Sequence, residues 1–127
     1  MDATMQTTNS NDPAAYLAPG RYVDSDHPAV VAFARRVAAP GLTPREAAVK
    51  LYYAVRDEFL YDPYHFDTTV EGLKGSHVIK AGRGFCVPKA ALLAAAARAL
   101  GVPARLGYAD VRNHLTSKRL YDMMGTD

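Results

Sequence analysis

The chain has a single cysteine, Cys86, and no tryptophan. One thiol cannot close an internal disulfide, so the fold has to be held by its apolar core. No apolar run approaches the roughly 18 residues that span a bilayer, and no membrane partner is expected. The 15 Lys and Arg are scattered among 13 Asp and Glu, for a net charge of +2. Without a basic run or a basic stripe interleaved with aromatics, no nucleic-acid partner is expected either. No charged leader with a following apolar stretch opens the sequence, which points to a cytoplasmic protein in a reducing compartment. Gly82-Arg83-Gly84 lacks the preceding strand and the further glycines or lysine of a phosphate loop or dinucleotide fingerprint. His65, Asp67 and His77 are not the tight ligand pairs of a zinc site, so neither metal nor cofactor is expected.

What is present fits one domain of 127 residues, 49% hydrophobic. Residues 1–20, rich in Thr, Asn, Asp and Pro, read as a disordered or loosely docked arm, and residues 21–127 as the domain. Asp24 or Ser25 can cap a first helix whose Val30, Phe33, Ala34 and Val37 share a face, ended by Pro40-Gly41. Thr43-Pro44-Arg45-Glu46 is a capping box with proline at the first helical position. It predicts a second helix to about Phe59, with Ala48, Leu51, Tyr52, Val55 and Phe59 facing inward. Residues 60–75 carry Tyr61, Tyr64, His65 and Phe66 without a period and read as a loop, whose aromatics serve either as core plugs or as substrate contacts. Ser76 can cap a short helix through Lys80, closed by Gly82.

The organising stretch is residues 81–110. Pro88 suits the first turn of a helix, and Gly101 with Pro103 suits its end, so residues 86–100 form a central Ala-rich helix with Cys86 at its N-terminus. Apolar almost all round, this helix should be the buried hub. The unpaired N-H groups and dipole at its start favour a thiolate and can stabilise an oxyanion. Gly82 and Gly84 can let a substrate backbone approach the sulfur. A free cysteine is also a common core residue, and at this point the nucleophile and the core filler are both open. Residues 104–111 read as one strand, and no second convincing strand follows.

Gly84-Phe85-Cys86, Lys89-Ala90, Leu92-Leu93, Arg98-Ala99-Leu100-Gly101-Val102-Pro103-Ala104-Arg105 and Gly107-Tyr108 together resemble the core of the transglutaminase-like superfamily. The resemblance covers about residues 44–115 and is densest over 81–110. It implies a helix-dominated α+β, papain-like fold with an incomplete core, in which Cys86 is the nucleophile. Its thiolate would attack a protein or peptide amide carbonyl to give a thioester, later taken by an amine or by water. Gly84 and Phe85 beside the sulfur, and Tyr61 in place of the family's oxyanion tryptophan, are the candidate substrate contacts.

The family draws its histidine and aspartate from later strands, and this sequence ends before them. His114, the one histidine after Cys86, has with Asp110 or Asn113 the residue types of a base and its orienter, but closeness in sequence is not geometry and the base role is not assigned to it. The expectation is therefore the nucleophile-bearing part of a longer acyl transferase or protease, truncated, with little turnover alone. A partner strand from another chain or a further C-terminal segment would cover the open sheet edge. The alternative is a non-enzymatic interaction module with a buried structural Cys86 and an edge near Tyr108 that recruits a strand.

Overall fold

A computed structural model describes residues 13–107. Of the four α-helices among these residues, three pack around the last, with one two-stranded sheet at its N-terminal end. The first, α1 (Pro28–Val37), buries Val30, Phe33 and Ala34 as its spacing predicts, but it is capped by His27, whose Nδ1 accepts from the Ala29 N-H at 3.1 Å. Asp24 and Ser25, the expected caps, are instead buried beneath another helix. Asp24 Oδ1 accepts from the Ser76 N-H at 3.2 Å, and the Tyr22 carbonyl accepts from the Gly75 N-H at 3.0 Å. These two bonds satisfy N-H groups that every helix start leaves unpaired. They also correct the role expected for Ser76, since α3 (Gly75–Ala81) begins after Lys74 with no side-chain cap of its own and is closed by Gly82 at φ 75°.

The capping box opens α2 (Pro44–Glu58) as the sequence dictates: Thr43 Oγ1 accepts from Glu46 N-H at 3.1 Å and Glu46 Oε1 accepts from Thr43 N-H at 2.8 Å. Its buried face is Ala47, Leu51, Ala54 and Val55, so Tyr52 is not the inward residue its spacing suggested. Tyr52 is half exposed and meets Tyr53 edge to face, with the Arg56 guanidinium 4.7 Å from the Tyr53 ring centre. An aromatic pair sharing a cation is a stable surface arrangement, which lets the smaller Ala47 and Ala54 turn inward.

Residues 60–75 are not wholly a loop. Leu60–Tyr61 (β1) pairs in parallel with Arg83–Gly84 (β2), Leu60 opposite Arg83 and Tyr61 opposite Gly84. Two residues are too few to show a period of two, which hid both strands from the sequence. Arg83 Nη1 and Asp62 Oδ2, 3.0 Å apart, fasten the far end of the ladder.

The hub is α4 (Cys86–Ala99), which contacts α1, α2 and α3 and buries Ala91, Leu92 and Ala94 to Ala97. It ends in a Schellman motif: Val102 N-H donates to the Ala97 carbonyl at 2.9 Å and Gly101 N-H to the Arg98 carbonyl at 3.0 Å, with Gly101 at φ 82°. Because small side chains let the other helices sit close, Ala96→Leu is expected to cost about 1–3 kcal/mol in urea unfolding. An unchanged midpoint would mean that the hub has slack.

The strand expected at 104–111 is a correction. Residues 104–107 form no ladder, and 108–111 lie outside the described residues. Val102, Ala104 and Leu106 do turn toward the core in alternation, as in a strand. Their backbone bonds go elsewhere: Ala104 N-H donates to the Tyr16 carbonyl at 3.1 Å, and the Ala104 carbonyl accepts from Arg98 Nε at 2.7 Å. Residues 13–20, including the short 3-10 turn Pro13–Tyr16, lie against this segment, with Arg98 Nη1 also donating to the Ala18 carbonyl at 2.7 Å.

Candidate active site around Cys86

Cys86 is the first residue of α4 and is exposed, so it is not the buried core filler that the sequence left open. Its position follows from three local constraints. Gly82 turns the chain out of α3 in a left-handed conformation, Arg83–Gly84 pair with β1, and Phe85 in extended conformation starts the helix. Pro88, buried in the first turn, lacks an N-H where none is needed.

The parallel ladder then does what sequence distance conceals, bringing Tyr61 alongside Cys86. The phenol of Tyr61 is pushed above its ordinary value, first by partial burial of its hydroxyl, then by the charge of the Cys86 sulfur and a hydrogen bond to it. A phenol so placed stays protonated and remains a donor toward the sulfur. The ring itself stays half exposed, as do Tyr64 and Phe66 further along the loop, so these aromatics are surface and not core plugs.

Gly84 and Phe85 are both buried. A Cβ on Gly84 would lie 3.1 Å from Val78 Cγ2 and 3.4 Å from Pro88 Cγ, and the Gly84 carbonyl already accepts from the Asp62 N-H at 3.0 Å. The Phe85 ring packs on Phe66 with centroids 4.4 Å apart. Lys89, one turn after Cys86, donates to the Phe59 carbonyl at 2.7 Å, closing the end of α2. Burial pushes its ammonium pKa down.

The histidines divide. His114 lies outside the described residues, as do Asp110 and Asn113, while His27 caps α1. His65 and His77 meet each other, Nε2 to Nε2 at 3.3 Å. The sequence held no signal for this contact beyond the presence of both residue types. Asp67 accepts at one carboxylate oxygen from the Thr69 N-H and hydroxyl, which chiefly hold its carboxyl below the usual range. Among the described residues no group of three His, Cys, Asp or Glu side chains is placed to hold a metal ion, and no helix is long and apolar enough to cross a membrane.

No curated protein and no solved structure matches the chain. The profile of the transglutaminase-like superfamily does match, over residues 31–124, a span that runs from α1 through the Cys86 helix and beyond it. That span is well over half of the sequence, and the chain belongs to the transglutaminase-like superfamily.

Proposed function

We propose that Cys86 is the nucleophile of a cysteine-dependent acyl transfer from a protein or peptide amide. The sulfur, as thiolate, attacks the amide carbonyl, and the carbonyl electrons move onto oxygen. Collapse of that oxyanion breaks the C–N bond; the amine leaves with a proton taken from water, which replaces the one the thiol gave up, and an acyl thioester remains on Cys86. An amine or a water molecule then takes the acyl group and restores the thiol. Two groups on this chain support the step: the free N-H groups at the start of α4, and the Tyr61 hydroxyl, which can follow the negative charge from sulfur to the carbonyl oxygen.

The observation that carries this reading is the exposed Cys86 at the first position of α4, with Tyr61 brought alongside by its pairing with Gly84. Iodoacetamide labelling of the native chain near neutral pH tests the nucleophile separately from turnover. Cys86 is expected to react in the folded protein at least as fast as in urea, and Tyr61→Phe to slow it by up to about tenfold, the scale of one hydrogen bond to an ionised group. A thiol that reacts only after unfolding would sink the proposal. His114→Ala run in parallel reads the base: a large loss of labelling would assign that role to His114.

A further inference from the structure

The contact between His65 and His77 serves nothing in the chemistry at Cys86, and its geometry is specific. The ring centroids are 5.5 Å apart and the planes 14° from parallel, while the Nε2 atoms are only 3.3 Å apart. The rings therefore meet end to end, each Nε2 aimed at the other, and both side chains are half-buried. Such a pair is satisfied when one ring donates a proton and the other accepts it. When both rings are protonated, two donors and two positive charges face each other with no acceptor between them.

The two rings sit on parts of the fold that can separate. His77 lies in α3, fixed to the core through Val78. His65 lies in the stretch between β1 and the 3-10 turn Glu71–Leu73, next to Phe66, whose ring packs on Phe85, the residue preceding Cys86. We propose that the His65–His77 pair is a pH-sensitive latch that holds the 62–70 loop against α3 and the Phe85 ring, and releases it when both imidazoles are protonated.

The surrounding charges offset that repulsion only in part. Asp67, in the loop, interacts with both rings and keeps its negative charge while accepting from Thr69, so it eases the approach of two imidazolium rings without supplying the acceptor missing between them. Asp62, at the loop's start, is paired with Arg83. On the other side, Glu71 is paired with Lys74, and the Lys80 ammonium adds a positive charge to the groove that His77 and His27 line. The stability of the closed loop is thus present while the two rings share one proton between their Nε2 atoms, and is lost on acidification when a second proton leaves no acceptor between them. The latch does not depend on what Cys86 does.

Amide hydrogen exchange across residues 64–70 of the full chain, corrected for intrinsic rates, tests it at about pH 7.5 and about pH 5. Protection is expected to fall several-fold, up to about tenfold, on acidification, the scale of two unit charges at this separation in water. His77→Gln, which cannot become cationic, is expected to remove that dependence. Equal protection at both pH values, or the same loss in His77→Gln, overturns the latch. Should His77→Gln fail to fold, side-chain 15N spectra of the wild-type chain decide. Two rings that titrate together with the loss of loop protection support the latch, and two that titrate independently with the loop unchanged overturn it.

Discussion

Gly75→Ala is expected to destabilise the protein by about 3 kcal/mol, the upper part of the range for overpacking a rigid core. Gly75 is buried where α3 crosses α4. A methyl group there would stand 2.8 Å from Leu92 Cα, 3.0 Å from Leu92 N and 3.2 Å from Ala91 C. All three atoms are backbone of the central helix, so no side chain can swing aside. The small gain that alanine brings to a helix, at most about 1 kcal/mol, is outweighed. Relief requires α3 to shift, and that would also strain the bonds from Gly75 to Tyr22 and from Ser76 to Asp24. Urea unfolding of Gly75→Ala beside Gly107→Ala, whose added methyl would have nothing within 4 Å, separates crowding from any general effect. Equal midpoints would refute the close crossing.

Arg98→Met should cost about 2 kcal/mol and free two segments at once. The guanidinium donates from Nε to the Ala104 carbonyl and from Nη1 to the Ala18 carbonyl, both at 2.7 Å. Burial pushes its pKa down, but an arginine remains charged, and charge-assisted bonds are the stronger kind. Methionine keeps the apolar stem and removes both bonds, leaving carbonyls that water partly re-satisfies. The figure is kept to the low end because the bond to Ala18 lies at the surface. Limited proteolysis is expected to cut near residues 18–20 and 103–106 in the variant and not in the parent. A variant with unchanged stability and unchanged cleavage would show that other contacts hold both segments.

The signals legible in the sequence were those whose physics closes within a few residues. Thr43 and Glu46 cap each other, Gly101 and Val102 complete a turn with Ala97 and Arg98, and Pro88 fixes where Cys86 stands. The family resemblance lies in the same segment and needs no long-range knowledge. What could not be read was every contact made across the chain. Asp24 looked like a cap for the helix four residues ahead, yet it serves one more than fifty residues away, because both choices use the same carboxylate. Leu60 and Tyr61 carry no alternation that would distinguish them from the aromatic loop they open. Tyr61 was a candidate by residue type alone, and only pairing with Gly84 puts it beside the sulfur.

The short parallel ladder has a kinetic consequence. The capping box of α2 and the turn after α4 close over three to five residues and form on the time scale of local helix growth, whereas joining Leu60 to Arg83 requires closing the whole intervening chain around α3. With so few rungs to repay that closure, the ladder cannot nucleate folding and must wait for the helices to dock. Cys86 is therefore in position early, carried by its helix, while its partner Tyr61 arrives late. The chain spends part of its folding life with the sulfur formed up but unaccompanied.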